Sequence, residues 1–153
     1  MKLTVVARKV GFTLIELVTT LAILGVLASI VIVAYNGYTE TTKVAGAIQH
    51  INAMSVIIDD YKTDHGYFPD SLQDVGLDNL QDPWGNPYVY LNIETANTGQ
   101  VRKDHNLVPL NTDYDLYSTG KDGRSVPPLT AQASRDDIVR ANNGGFVGKA
   151  SDY

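Results

Sequence analysis

Two hydrophobic patterns follow one another in the first part of the chain. Residues 12–35 are almost uniformly apolar, with Glu16 as their one charged side chain. In residues 44–61, apolar side chains recur at steps of three and four, which is typical of a helix with one buried face. They are Val44, Ile48, Ile51, Met54, Ile58 and Tyr61. His65-Gly66 supplies a helix stop, so we predict one long helix from about residue 12 to about residue 62.

The apolar half of this helix is long enough to cross a membrane. A helix of residues 12–35 spans roughly 36 Å, against about 30 Å for the core of a bilayer. Lys2, Arg8 and Lys9 precede the apolar run and all the acidic residues follow them. This asymmetry favours a cytoplasmic N-terminus and an exported remainder.

Glu16 decides between three interpretations of this segment. A cleaved signal peptide would place the cut after the apolar run, and a glutamate inside that run argues against it. A plain membrane anchor explains the length but not the carboxylate, which is costly in a membrane and indicates a function. In the third interpretation, the apolar helix is retained and only the short basic leader is removed.

The rest of the chain alternates turn residues with short apolar runs. Ser71–Val75 is predicted as a short helix, with Asp70 or Ser71 as its N-cap. The turn-rich sequence of residues 82–87 contains Trp84, which we expect to be a packing residue. Residues 88–91 and 114–118 are predicted strands. Two or three short antiparallel strands on the amphipathic half of the helix would close a small core.

Composition and charge narrow the possible functions. The chain is 44% hydrophobic and 19% charged, unlike a disordered chain. It has no cysteine, which excludes disulfides, iron–sulfur clusters, cysteine-ligated zinc and thiol catalysis. A net charge of −5 argues against nucleic acid as a partner. His50, His65 and His105 are scattered and match no catalytic spacing, so we expect no enzyme activity.

The sequence at the junction between the basic leader and the apolar run resembles the signature of a known protein family. Residues 9–17, KVGFTLIEL, resemble the cleavage and methylation signature of type IV prepilins and type II secretion pseudopilins. The resemblance implies that a prepilin peptidase cuts after Gly11 and methylates Phe12. It also implies that Glu16 pairs with the Phe12 amine during assembly, within one subunit or between neighbours. From the residues alone, a glutamate at the membrane edge remains an alternative.

Two blocks in the rest of the chain resemble the major pseudopilins of type II secretion. They are DPWGNPY at residues 82–88 and YDLYSTGKDG at residues 114–123. The resemblance implies an α+β, pilin-like fold. One long helix with a protruding apolar half would pack against a small antiparallel sheet with an irregular C-terminal loop. The implied organisation is a leader (residues 1–11), an apolar membrane or filament-core helix (12–35) and a periplasmic head (36–153).

The chain departs from these relatives in three places. Val33 stands where many of them have a proline, which puts a local break of the helix in doubt. The segment between the two predicted strands, residues 92–113, is long and polar, where relatives have a short turn. The loop after Gly123 is also longer than the resemblance leads us to expect.

The C-terminal loop is the candidate metal site. Residues 122–137 show little regular pattern, so the loop needs a restraint. Asp122 at one end and Asp136-Asp137 at the other could supply carboxylates to Ca²⁺, although solvated turns have the same spacing. The resemblance implies Ca²⁺ held by Asp122 and Asp136, with Asp137 as the alternative to Asp136. Further candidates, as backbone ligands, are Thr119, Arg124 and Ser134.

The function implied by the resemblance is mechanical. The chain would be a single-pass inner-membrane precursor with a cytoplasmic N-terminus, surrounded by lipid before assembly. It would then polymerise into a helical homopolymer, a periplasmic pseudopilus that drives export of folded proteins. Its implied partners are copies of itself, the prepilin peptidase, the inner-membrane assembly platform and minor pseudopilins.

Two other functions remain open at the level of the sequence. The first is a type IV pilin of a surface fibre for adhesion, motility or DNA uptake. Many such pilins close their C-terminal loop with a disulfide, which this chain cannot form. The second is a membrane-anchored periplasmic binding or enzymatic domain, which would need a pocket with convergent polar groups.

Overall fold

The computed structural model describes residues 11–97 and 99–153. The predicted leader, apart from Gly11, lies outside the described residues. The chain divides after Thr39 into two compact units.

Helix α1 runs from Leu14 to His65 without interruption and confirms the prediction of one long helix. It ends at Gly66, whose φ of +84° is a conformation that glycine adopts easily. The N–H of Gly66 donates to the carbonyl of Lys62 at 2.8 Å and so satisfies one of the last carbonyls of the helix.

The first unit contains the apolar part of α1. Its described large apolar side chains are all exposed, from Phe12 at 86% to Tyr38 at 74%. By length and composition the helix can cross a membrane, since an 18-residue window reaches a mean hydropathy of 2.7.

The second unit, residues 40–153, contains a four-stranded antiparallel sheet with the strands in chain order. The strands are β1 (Val89–Asn92), β2 (Tyr114–Ser118), β3 (Ile138–Ala141) and β4 (Phe146–Lys149). Strands β1 and β2 confirm the two predicted strands, with β1 shifted by one residue. Strands β3 and β4 were not predicted, so the estimate of two or three strands was too low.

The sequence Asn-Asn-Gly-Gly at residues 142–145 predicts a turn near a loose C-terminus, and this turn connects β3 to β4. Asn142 and Asn143 both have φ near +54°, in the left-handed region that asparagine tolerates better than most residues. The expectation of a loose C-terminus here was wrong. Strand β4 pairs with β3 along its whole length, and beyond it the Ala150 N–H donates to the Asp137 carbonyl at 2.8 Å.

The predicted stripe of α1 packs against the sheet. Ile51, Met54 and Ile58 are fully buried in a cluster with Tyr114 of β2 and Ile138 of β3. Val44, Ile48 and Trp84 pack at the border of this cluster, and the prediction that Trp84 is a packing residue is confirmed.

A second cluster contains side chains from the other face of the sheet, because successive residues of a strand point to opposite faces. Val139 and Ala141 of β3 are buried there with Leu110, Leu129 and Ala150. The sheet therefore has apolar side chains packed on both faces.

Two connecting segments complete the head. Ser71, one of the two predicted N-caps, caps the short 3₁₀ helix Leu72–Val75. Its N–H donates to the Asp74 carboxylate at 2.8 Å, as in a capping box. The described residues of the interstrand segment, 93–97 and 99–113, belong to the head unit. The backbone of Lys103 forms isolated β-bridges with Pro109 and with Pro128 of the C-terminal loop.

Candidate functional site

The start of α1 holds the predicted processing and assembly residues. Thr13 lies just before the helix, and its N–H and hydroxyl donate to Glu16 Oε2 at 2.8 and 2.7 Å. The Glu16 N–H donates in return to the Thr13 hydroxyl at 3.3 Å. This is a capping box of the T-x-x-E type, so Glu16 fixes the first turn of the helix. The sequence TLIE carries this signal, although the cap was not among our predictions.

The predicted pairing of Glu16 with Phe12 depends on cleavage. In the uncut chain the Phe12 nitrogen is a peptide amide, which carries no charge. Cleavage after Gly11 would convert it to an amine, which is cationic when protonated. The Glu16 carboxylate lies one turn away on the same helix end, where it is exposed in the single chain. A charge in an apolar assembly needs such a partner.

The structure brings the two ends of the C-terminal loop together. The Asp122 N–H donates to Asp136 Oδ2 at 3.1 Å, although 14 residues separate them. Gly120 has φ +65° and lies so close to the Asp136 backbone carbonyl that a side chain would not fit. Asp122 Oδ1 also accepts the Arg124 N–H at 2.8 Å, which shapes the turn.

Asp137 is directed to a different set of partners from Asp136. Its Oδ2 accepts from Arg102 Nη2 and from the Ser125 hydroxyl, both at 2.6 Å. The Arg102 and Asp137 side chains are 2% and 0% exposed. A carboxylate already neutralised by a buried guanidinium is a poor ligand for a second cation, so Asp136 fits the metal role better than Asp137.

The remaining candidates contribute little to a metal site through their side chains. The Ser134 hydroxyl is buried, donates to the Val126 carbonyl at 2.8 Å and accepts the Val126 N–H at 3.0 Å. Thr119 and Arg124 flank Asp122 along the chain. Among the described residues, no three acidic or histidine side chains form a cluster that could hold a metal. A metal here would take Asp122, Asp136 and backbone oxygens, a donor set that suits Ca²⁺.

Arg102 supplies a restraint on the loop that was not predicted from the sequence. Besides Asp137, its Nη1 donates to the Ser125 hydroxyl and, at 2.6 Å, to the Val126 carbonyl. The guanidinium also lies 4.4 Å from the ring centroid of Tyr117. Burial raises the pKa of Asp137 to about 6, although the Ser125 hydroxyl and Arg102 both act to lower it. The interstrand segment therefore holds the C-terminal loop through a buried ion pair.

Two of the three histidines have structural partners. His50 Nδ1 is 3.0 Å from the Tyr88 hydroxyl, between the helix and the start of the sheet. His65 Nδ1 is 2.9 Å from the Tyr61 carbonyl in the last turn of α1. His50 therefore has a role in packing, and His65 has a role in the termination of the helix.

Known proteins resemble the chain over most of its length. The family described as "Prokaryotic N-terminal methylation motif" matches residues 8–32. The type II secretion system core protein G of Aeromonas hydrophila is 32% identical over 77% of this chain and 87% of that protein. Core protein G of Pseudomonas aeruginosa is 31% identical over 74% of this chain and 84% of that protein.

A pilin is similar to about the same degree. The type IV major pilin protein PilE of Neisseria gonorrhoeae is 31% identical over 91% of this chain and 86% of that protein. No solved structure gives a significant match.

Proposed function

Because the chain belongs to the family of the type II secretion core protein G, we propose that it is a major pseudopilin, the structural subunit of a type II secretion pseudopilus. The observation that carries the proposal is the methylation motif at residues 8–32, placed at the start of an exposed apolar helix. The head then serves as a rigid body that the filament moves. No enzymatic step is part of the proposal.

Assembly exchanges one apolar environment for another. Before assembly, the apolar part of α1 lies in the inner membrane with the N-terminus in the cytoplasm and the head in the periplasm. A prepilin peptidase removes the leader after Gly11, and an assembly platform extracts the subunit. Each helix then replaces its contacts with lipid by contacts with other helices of similar apolarity. These new contacts in the filament core offset the free-energy cost of extraction from the membrane. Copies of the chain form the filament, together with minor pseudopilins, and the filament drives folded proteins out of the periplasm.

The new N-terminus supplies the specificity of assembly. Glu16 is the one carboxylate in the apolar stretch, so it contributes a single charged acceptor to the filament core. The methylated amine of Phe12 provides its cation, within the subunit or on a neighbour. A buried charge pair of this kind sets register more than it adds stability.

Calcium is a second part of the proposal. We propose that Ca²⁺ binds at the C-terminal loop through the carboxylates of Asp122 and Asp136, with nearby backbone oxygens completing its shell. The support is the hydrogen bond that brings the two loop ends together. When bound, the ion would neutralise the two carboxylates and fix the loop, while the Arg102–Asp137 pair holds the adjacent part.

Mass spectrometry of the membrane-extracted protein tests processing. Expression of the full chain with an active prepilin peptidase is expected to yield a chain that begins with N-methyl-Phe12. Without the peptidase, the precursor should keep residues 1–11. A cut after the apolar run, or an intact precursor in the presence of the active peptidase, would contradict the proposal.

A surface pilus is the second candidate, because the Neisseria pilin covers the chain as fully as the core proteins do. The location of the filament separates the two functions. Antibody labelling of intact cells at natural expression should find no fibres if the chain is a pseudopilin, and deletion of the gene should leave exoproteins in the periplasm. Long surface fibres together with undisturbed secretion would favour the pilin.

A further inference from the structure

The head carries two clefts of opposite charge. The basic cleft, of about 340 Å³, is lined by Arg135, His105, Thr130 and Ser151, with Leu129 and Ala150 also in its lining. The acidic cleft, of about 430 Å³, is lined by Asp70 and Asp78 together with Ser71, Gln73 and Tyr90. Neither cleft is lined by Glu16, Asp122 or Asp136, so neither takes part in the proposed assembly pair or calcium site.

The two clefts lie at opposite edges of the sheet. Tyr90 of the acidic cleft belongs to β1, while Ala150 and Ser151 of the basic cleft directly follow β4. Strands β1 and β4 are the first and last of the four. Since neighbouring strands are about 4.8 Å apart, roughly 14 Å of sheet separate the two edges.

One charged side chain in each cleft, Arg135 in the basic one and Asp70 in the acidic one, is free to meet a partner. Among the residues that the structure describes, the Arg135 side chain makes no hydrogen bond or ion pair, and the same is true of the Asp70 carboxylate. Both side chains are exposed. By contrast, the buried cations Arg102 and Arg140 each have a carboxylate partner within the head.

We propose that these clefts form the contact between heads of successive copies of this chain, in which the Asp70 rim of one copy enters the basic cleft of the next. The inference rests on the proposed filament and names the head surfaces that meet in it. Two different, complementary patches on one subunit make a heterologous contact, which propagates into an open helical array when the rotation does not close. A self-complementary patch would instead stop at a dimer.

Charge complementarity at this contact determines the relative orientation of neighbouring subunits. The guanidinium of Arg135, with the hydroxyls of Thr130 and Ser151 beside it, offers donors that suit a carboxylate. The reverse orientation would place like charges together, and this repulsion disfavours it. The contact therefore favours subunits that all point the same way, as a filament requires.

Disulfide trapping in the full chain tests the contact. The chain has no cysteine, so Arg135→Cys with Asp70→Cys introduces the one possible pair. In cells that assemble filaments, mild oxidation is expected to give a ladder of dimers, trimers and longer species on a non-reducing gel. Each single variant should stay monomeric. The matched control is Arg135→Cys with Asp60→Cys, which uses an exposed acid on α1 outside the acidic cleft and should give no ladder.

Charge exchange provides an independent measurement. Arg135→Asp or Asp70→Arg alone should reduce the yield of sheared filaments at least about tenfold, and the two together should restore it. Filaments of normal yield from both single variants, with no ladder from the cysteine pair, would overturn the contact but leave the pseudopilin function intact. Dimers from a single cysteine variant would also overturn it, because they indicate a self-complementary patch. A wild-type chain that forms no filament would contradict both the pseudopilin function and the contact between heads.

Discussion

At the scale of single residues, Glu16 has two separable roles. Its carboxylate caps the first turn of α1 through Thr13, and its charge is proposed to pair with the Phe12 amine. The first role needs only an acceptor side chain, whereas the second needs a negative charge. Glutamine preserves the first role, because it also functions at this position of a capping box.

We therefore expect Glu16→Gln and Glu16→Ala to impair filament assembly alike. Both should be cleaved and inserted into the membrane normally, since each substitution makes the segment less polar or less charged. Filament yield from sheared cells, measured beside the N-terminal mass, checks this. Normal assembly of Glu16→Gln with loss in Glu16→Ala would show that the helix cap is the required function.

Arg102 and Asp137 give a second prediction at this scale. Arg102→Met leaves the Asp137 carboxylate buried without its cation, which should lower the free energy of unfolding by about 3–5 kcal/mol. Asp137→Leu in the same chain removes the unpaired carboxylate and should restore most of the lost free energy of unfolding. Urea unfolding of the three proteins measures the difference. A loss below about 1 kcal/mol in Arg102→Met would mean that the ion pair does not restrain the loop.

At the scale of elements, the stripe of α1 was predictable because a helix repeats its environment every three to four residues. Steps of three and four kept the apolar side chains on one face, and that face is the one buried against the sheet. Strands β3 and β4 were not predictable in the same way. They have four residues each, and the asparagine-rich turn between them favoured an irregular end.

The one-sided burial of α1 predicts a matched pair of effects. Ile51→Ala removes a fully buried side chain and should destabilise the protein by about 2–5 kcal/mol. Val56→Ala lies on the same helix, is 60% exposed in the single chain and should change stability by less than about 0.5 kcal/mol. Denaturant unfolding of the purified protein in detergent compares the two. Equal losses would mean that the helix does not present this face to the sheet.

At the scale of the whole molecule, the loop of residues 122–137 is held in two ways. The buried pair of Arg102 with Asp137 holds its C-terminal part without any ligand. The other end depends on the contact between Asp122 and Asp136, which is exposed to solvent on the Asp122 side. The long interstrand segment supplies Arg102 and so carries part of the restraint.

Calcium should stabilise the protein through the second of these contacts. An ion that binds only the folded state stabilises it by about 2.7 kcal/mol at a hundredfold excess over Kd, which raises Tm by several degrees. Magnesium should substitute poorly, because it requires a tighter octahedral shell. Thermal melts with calcium and with chelator measure the shift.

The variants for this test separate the site from general charge effects. Asp122→Ala should abolish the calcium-dependent shift, whereas Asp60→Ala, an exposed acid on α1, should keep it. Identical melts of the wild-type protein with calcium and with chelator would mean that Asp122 and Asp136 are ordinary turn residues, and that the loop relies on Arg102.

What the sequence determined by itself is what depends on neighbours along the chain. The continuous helix, the processing motif around Gly11, the cap at Ser71 and the strands β1 and β2 all follow from patterns a few residues long. Local conformational preference and periodicity decide such features, and both can be read from the sequence.

What only the tertiary structure decided depends on residues that are distant along the chain. Arg102 and Asp137 are 35 positions apart, and no local pattern marks either as the partner of the other. The same holds for the pairing of β3 with β2, and for the opposite charges at the two edges of the sheet. Which partners meet depends on how the chain closes over its core, because a buried charge selects whichever counter-charge the packing brings within reach.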